Sequence, residues 1–260
     1  MLAELKSFVY GTRVWHAVFK NRGELRHWEL RKLSIVKWYR GEGSCLFPCP
    51  DAEAKINDFD EQTNALLTFI AVETKHASYL KDLCLKKESF RGARVADVGS
   101  GPFPTLLVFE GCERYCIDHL MESYRKMGYP ISRFEPELRF IAAKSESIPV
   151  PDGYFDAVIS RNALDHVDDF DATAREIRRI LRPSGILHIL VNYHRPTSTE
   201  PHVLNDEVIR GSFGSLGVRK VSEAADSWGF EGGKTVLWSN APEAILTNTS
   251  ETALVVAVQS

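Results

Sequence analysis

The 260-residue chain is poor in cysteine, in net charge and in long apolar runs. Its five cysteines, an odd number, are typical of reduced thiols in a cytoplasmic protein. A formal net charge of −3 argues against nucleic-acid binding through bulk positive charge. No apolar run approaches the roughly 18–20 residues of a membrane-spanning helix. Because Lys6, Arg13 and His16 interrupt the N-terminus, we expect no signal peptide and a cytoplasmic globular protein.

Two cysteine pairs have the short spacing of metal ligands, Cys45 with Cys49 and Cys112 with Cys116. The second pair lies in a predicted strand, where four residues span about 13 Å, too far for one ion or one disulfide. The first pair could turn back on itself, but no second pair of ligands lies near it in the sequence. No metal site is therefore expected.

The first third of the chain differs from the rest. Residues 1–90 contain three of the five tryptophans, and helical periodicity runs from Asp60 to about Lys87, which predicts a helical cap or lid. Three interpretations stay open for this region. It is a solvated helical face, a lid that keeps water out of a substrate pocket, or a surface that adheres weakly to membranes.

Residues 91–260 alternate strands with helices, which predicts a parallel sheet with helices on both faces. Helices are expected over Asp118–Met127 and Asp171–Leu181, the second capped by its first aspartate and stopped by Pro183 and Gly185. The terminal TALVVAVQS reads as a last, buried strand. The other predicted strands are Arg94–Val98, Arg114–Ile117, Phe140–Ala143, Phe155–Ser160 and Ile186–Asn192.

The stretch VADVGSGPFP, residues 95–104, carries Gly99 and Gly101 directly after the first strand, where ligands bind in doubly wound sheets. A dinucleotide fingerprint needs a third glycine where this chain has Pro104, and no Gly-Lys-Ser/Thr of a phosphate-binding P-loop follows. Asp118 ends the second strand, 21 residues after Asp97. Its carboxylate suits either the two hydroxyls of a ribose or the cap of a helix.

Together with SESIPVPDGYFDAVISRNALDHVDD (145–169) and AREIRRILRPSGILHIL (174–190), this turn resembles class I S-adenosylmethionine-dependent methyltransferases of the type 11 kind. The resemblance covers roughly Arg91 to Tyr193. It implies an α/β fold, a Rossmann-like seven-stranded mostly parallel sheet with a helical N-terminal extension. A methyltransferase domain would then occupy residues 91–260, with S-adenosylmethionine as cofactor and a small molecule as substrate.

The resemblance also assigns cofactor-binding residues. Lys144 departs from the pattern where many relatives have aspartate, and Phe103 replaces a common glycine. The implied cofactor contacts are Asp97, Gly99, Ser100 and Gly101 at the amino acid part, Asp118 at the ribose, His119, Leu120, Ser145 and Glu146 at the adenine, and Ser160, Arg161 and Asn162 at the methionine moiety.

The segment VNYHRPTSTEPHVLN (191–205) resembles a subgroup associated with polysaccharide or small-molecule biosynthesis, which suggests a hydroxyl acceptor of a glycan or secondary metabolite. A hydroxyl gains from a general base, and histidine suits that role. We expect His166 or His194 to be catalytic, and Tyr193, Glu200 and His202 to bind substrate. Methylation of a small amine and a catalytically inactive binding protein remain the alternatives.

Overall fold

A computed structural model describes residues 19–42, 54–135, 137–225 and 232–247. Cys45, Cys49 and the predicted terminal strand lie outside this part. In chain order the elements are α1 (Asn21–Arg40), α2 (Glu61–His76), α3 (Ser78–Asp82), β1 (Arg94–Val98), β2 (Glu113–Ile117), α4 (Met121–Lys126), β3 (Arg139–Ile141), β4 (Phe155–Arg161), α5 (Phe170–Ile180), β5 (Leu181–Tyr193), α6 (Asp206–Phe213), β6 (Arg219–Ala225) and β7 (Lys234–Ser239).

Seven strands form one sheet in the order β3-β2-β1-β4-β5-β7-β6. The first five are parallel, and β7 pairs antiparallel with both β5 and β6. The predicted Rossmann-like, mostly parallel sheet is confirmed. The strand order reverses between β1 and β4, so the carboxyl ends of these two strands face the crevice where such sheets bind ligands.

Each face of the sheet carries a separate apolar core because successive strand residues point to opposite sides. In β1, Val95 joins the core under α1 and α2, whereas Ala96 and Val98 join the core under α5 and α6. Leu66 of α2 and Ile177 of α5 are both fully buried. Helices therefore cover both faces, as predicted.

Several predicted bounds need correction. The cap of α5 is Asp169, whose side chain accepts from the backbone N–H of Ala172, and not Asp171. The helix ends before Pro183 and Gly185, as predicted, but the strand predicted over Ile186–Asn192 begins earlier, at Leu181, and contains both residues; its pairing with β4 is irregular there. The strand β3 is shorter than predicted.

The helical pattern after Asp60 forms two helices. Asp60 caps α2 through the backbone N–H of Thr63, 3.0 Å away. Ala77 then adopts a left-handed φ of 52° and separates α2 from α3. Strands β6 and β7 had not been expected from the sequence. Within the described residues, no helix is long and apolar enough to cross a membrane.

Candidate active site

A cavity of about 540 Å³ opens at the carboxyl ends of β1, β2 and β4. Its floor is the Gly99–Gly101 turn, and its sides are the segments that follow β2, β3 and β4. The volume lies within the roughly 300–1,000 Å³ range of small-molecule sites. The N-terminal helices α1 and α2 supply the remaining walls.

The Gly99–Gly101 turn needs glycine at both ends. Gly99 has a φ of +79°, and a Cβ there would lie 2.2 Å from the Cβ of Ala163. Gly101 has a φ of +65°, and a Cβ there would lie 3.0 Å from the indole of Trp28 on α1. The turn therefore leaves bare backbone at the cavity floor.

Asp118 ties β2 to this turn. Its Oδ2 accepts the backbone N–H of Gly101 at 2.9 Å, and its Oδ1 accepts the N–H of Leu120 at 2.8 Å. Each carboxylate oxygen keeps a second acceptor position, and the residue lines the cavity. Burial raises the pKa of Asp118, against the opposing effects of His119 and these hydrogen bonds. The turn contact and ligand binding are thus compatible.

Buried polar atoms without a partner gather along the cavity wall. Among the described side chains, Asp97 Oδ1, Asn162 Oδ1 and Arg161 Nε are buried and lack a hydrogen-bond partner. The other oxygen of Asp97 accepts from Tyr79 Oη and Thr105 Oγ1, at 2.7 and 2.8 Å. Burial raises the pKa of Asp97 to about 6, although these two hydrogen bonds oppose it.

Two side chains of the loop after β3, Lys144 and Glu146, bind the segment at Asp168 and Asp169. Glu146 Oε1 accepts the backbone N–H groups of Asp168 and Asp169 at 2.8 and 2.9 Å. Lys144 Nζ lies 2.5 Å from Asp168 Oδ2, whose other oxygen lies 2.8 Å from Lys20 Nζ. Ser145 and Glu146 still line the cavity.

Five side chains from distant parts of the chain meet beside this cavity, and we name them the acid–imidazole cluster. His166 Nδ1 lies 3.6 Å from Glu24 Oε1, and its Nε2 lies 3.5 Å from Glu200 Oε1 and 3.9 Å from Asp165 Oδ1. His194 Nε2 lies 3.1 Å from Asp165 Oδ2. The cluster consists of Glu24, Asp165, His166, His194 and Glu200.

Both imidazoles of the cluster favour the charged form. Burial lowers the pKa of His166, but the charges of Asp165, Glu24 and Glu200 outweigh it and raise the pKa to about 9. His194 Nδ1 donates to the carbonyl of Arg195 at 2.7 Å, so both of its nitrogens act as donors. Burial lowers the pKa of His194, but the hydrogen bond that its ring donates to Asp165 helps to raise the pKa above its usual value.

Several sequence candidates lie outside the cavity walls. Ser160 donates to the carbonyl of Val98 beneath the site, and Leu120 is buried in the core under α1 and α2. Tyr193 contacts Asp206 and Trp238 through its hydroxyl. The ring of His202 donates to the carbonyl of Val167, and burial lowers its pKa. These residues and His194 do not line the cavity. The candidates that do line it are His119, Arg161, Asn162, His166 and Glu200.

Sequence reasoning missed the contribution of α1. Glu24, His27, Trp28 and Arg31 all line the cavity, and their spacing places them on one helical face. The ring of Trp28 packs against Phe103 with centroids 5.9 Å apart. The i, i+3, i+4 spacing of these polar and aromatic residues could have predicted that this face of α1 lines a cavity.

Comparison with known proteins relates the central part of the chain to a family. Residues 96–189 match the family described as Methyltransferase domain. Residues 96–189 are therefore a class I S-adenosylmethionine-dependent methyltransferase domain. This confirms the resemblance found in the sequence, together with S-adenosylmethionine as the cofactor of the domain.

The similarity to individual proteins is partial. An uncharacterized methyltransferase of Bacillus subtilis, YcgJ, is 32% identical over 108 residues, which cover 40% of this chain and 42% of that protein. The ubiquinone/menaquinone biosynthesis C-methyltransferase UbiE of Caulobacter vibrioides is 36% identical over 67 residues, 26% of each chain. The chain thus spans less than half the length of these relatives.

One solved structure is similar to this chain in fold, at low sequence identity. Geranyl diphosphate C-methyltransferase from Streptomyces coelicolor superposes with a TM-score of 0.50 at 12% identity. The match covers 80% of this chain and 97% of that one. It reaches beyond residues 96–189 and supports the architecture, not a substrate.

The cavity suits the cofactor of the methyltransferase domain. The amino acid end of S-adenosylmethionine carries an ammonium and a carboxylate, which complement the unpartnered Asp97 and Asn162 oxygens and the Arg161 Nε. Asp118 offers paired acceptors for ribose hydroxyls. The turn lacks the third glycine of a pyrophosphate-binding fingerprint, because Pro104 stands in that position, next to Phe103.

Proposed function

We propose that this chain transfers the methyl group of S-adenosylmethionine to an oxygen of a small-molecule acceptor, such as a hydroxyl of a sugar, glycan or secondary metabolite. The observation that carries the proposal is the acid–imidazole cluster, whose His166 and Glu200 line the same cavity as the cofactor residues. A hydroxyl needs polar partners and a route for its proton. Apolar acceptors need neither.

We assign the cofactor contacts to the residues that line the cavity. Asp97, Gly99, Ser100, Gly101, Arg161 and Asn162 would hold the methionine part, and Asp118 and His119 the ribose side. Ser145 and Glu146 would border the adenine. Because Glu146 Oε1 already binds two backbone N–H groups, adenine recognition would use backbone atoms of this loop.

The acceptor would meet His166 and Glu200. Of the two histidines proposed for catalysis, His166 lines the cavity, and His194 lies behind it against Asp165. The reactive sulfonium already activates the methyl group, so placing the acceptor in line supplies much of the catalysis. His166 would contact the acceptor oxygen, and His194 would orient Asp165.

Residues 1–90 would act as a lid over the domain of residues 91–260. The support is that one face of α1 and the end of α2 form cavity walls, with Trp28 against the turn. A water-excluding cover favours methyl transfer over side reactions. The cytoplasmic location remains a prediction.

The test is a transfer assay with the full chain and methyl-labelled S-adenosylmethionine on a panel of sugars, phenols and amines. We expect an O-methyl product, identified by mass spectrometry. An amine product would support the alternative acceptor, and a C-methyl product would match the named activity of UbiE. Cofactor binding without transfer to any acceptor would support an inactive binding protein.

A further inference from the structure

Three side chains of the acid–imidazole cluster have the donor set of a metal site. Asp165 follows β4, and His194 and Glu200 follow β5, so the sheet brings them together at one edge. One ligand atom of each lies within 4.8 Å of the other two. Imidazole with carboxylates is a common donor set for first-row divalent ions.

The closest pair has the spacing of two ligands on one ion. His194 Nε2 and Asp165 Oδ2 are 3.1 Å apart. Ligand atoms held about 2.1 Å from an ion at adjacent positions lie roughly 3.0–3.4 Å from each other. A metal ion can therefore replace the proton between these atoms with little movement of either side chain.

Asp165 provides a second, independent observation. The residue is fully buried, yet its Oδ1 has no hydrogen-bond partner within the described structure. The nearest cationic atom found for this oxygen is His166 Nε2, 3.9 Å away. A buried carboxylate oxygen without a partner is costly, and a bound cation would supply that partner.

The charge of the cluster also favours a cation. Its three carboxylates, Glu24, Asp165 and Glu200, face two imidazoles. Lys20 Nζ, 3.9 Å from Glu24 Oε1, offsets one of these carboxylates, but a ligating His194 must be neutral, so one negative charge remains even with His166 protonated. The side chains of Asp165 and His194 are 1% and 2% exposed, so this charge is poorly screened by water.

We propose that Asp165, His194 and Glu200 bind a divalent first-row transition ion such as Mn²⁺, Fe²⁺ or Zn²⁺. Glu200 lines the cavity, whereas Asp165 and His194 do not, so open coordination positions beside Glu200 would be the ones reached from the cavity. An oxygen of the methyl acceptor would take one of them. This role of the ion rests on the proposed function, whereas binding of the ion does not.

The test is calorimetric titration of the chelator-treated full chain with Mn²⁺, and separately with Zn²⁺, without cofactor or acceptor. We expect one ion per chain. Asp165→Asn, His194→Gln and Glu200→Gln should each weaken binding of the ion by at least about tenfold. Mutation of a residue that only supports a metal ligand already has an effect of this size. His119→Gln is the matched control, since its imidazole lies 3.8 Å from Asp118 and 3.9 Å from Glu24 but outside the three-ligand group.

Folding is checked by circular dichroism on the metal-free variants. Glu200→Gln is the variant least expected to disturb folding, because Glu200 lies at the cavity wall and is not fully buried. The test can therefore still be decided if the Asp165 variant misfolds. With Co²⁺ as a probe, His194→Gln should change the visible absorption that reports nitrogen ligation. The proposal is wrong if the parent binds neither Mn²⁺ nor Zn²⁺, or if Glu200→Gln and His194→Gln both bind as the parent does.

The role of the ion has its own readout. Transfer activity should fall on chelation and return with the ion, while affinity for S-adenosylmethionine stays constant. Ion binding without any effect on transfer would remove the catalytic role and leave the site. Absence of transfer under all conditions would count against the proposed function, and the titration would still decide the metal site.

Discussion

The two ends of the cavity differ in how the chain builds them. At the proposed cofactor end, the turn and the ribose acid come from segments close in sequence, Gly99–Gly101 after β1 and Asp118 after β2, and Arg161 and Asn162 join them from the end of β4. The acceptor end combines Glu24 of α1 with Asp165, His166, His194 and Glu200 from the loops after β4 and β5. The first end is a local motif on a sheet, and the second exists only when distant segments pack together.

The largest expected effect separates the two ends by function. His166→Ala should lower turnover by about 10²–10⁴-fold, the usual contribution of a positioned proton-transfer group, and turnover of the parent should rise with pH towards about 9 as His166 loses its proton and can accept that of the hydroxyl. Affinity for S-adenosylmethionine should stay close to that of the parent. Steady-state kinetics on the identified acceptor and calorimetry measure the two quantities. Near-parent turnover would show that positioning alone carries the reaction.

The second prediction tests the backbone of the cofactor end. Gly99→Ala puts a Cβ 2.2 Å from Ala163 at a φ of +79°. Strain in the left-handed region costs about 1–2 kcal/mol and overpacking about 1–3 kcal/mol. We expect a lower free energy of unfolding and loss of cofactor binding.

A matched control separates the two causes. Gly217 has a φ of +73° but open space around its Cβ position. Gly217→Ala should therefore lose only the strain contribution in urea unfolding and bind cofactor normally. Equal losses in both variants would mean that the contact with Ala163 is unimportant.

The third prediction concerns the ribose contact. Asp118→Ala should weaken S-adenosylmethionine binding by roughly 1.5–3 kcal/mol, the scale of hydrogen bonds to a charged group. Glu200→Gln at the acceptor end should leave that affinity unchanged. Calorimetry on both variants compares the ends directly. If Asp118→Ala binds as tightly as the parent, the ribose assignment is wrong.

The smallest expected effect is a pH dependence of cofactor binding. The pKa of Asp97 is raised to about 6, so its carboxylate gains a proton as the pH falls through that value and no longer pairs with an ammonium. Protonation of Asp97 alone should lower the affinity below about pH 6 by at most about tenfold per pH unit. Burial also raises the pKa of Asp118, which acts in the same direction. Asp97→Asn should therefore reduce the slope, and an unchanged slope would exclude Asp97 as its source.

The contrast between the two ends also explains what the sequence could predict. Strand β1 was predicted to the residue, and Gly99, Gly101 and Asp118 were correctly expected to lie together, because glycine turns and strand ends leave local signals. The same reasoning named His166 and Glu200, but it could not place Glu24 beside them. That contact depends on how α1 packs on the sheet.

Tertiary context also decided the predictions that were wrong. The helix does end before Pro183 and Gly185, but the strand begins at Leu181 and not at the predicted Ile186, because Phe155 of β4 pairs with Leu181. Leu120 packs in the core and is 5% exposed, and its expected contact with the adenine stays a prediction. Such outcomes depend on partners far away in sequence, which local patterns do not contain.

One titration tests the central claim, that the turn after β1 accepts S-adenosylmethionine and no dinucleotide. The full chain is titrated with S-adenosylmethionine and, in a separate run, with NAD. We predict saturable binding of one S-adenosylmethionine per chain and no measurable affinity for NAD. Saturable NAD binding, or no binding of S-adenosylmethionine to the folded chain, would contradict the account.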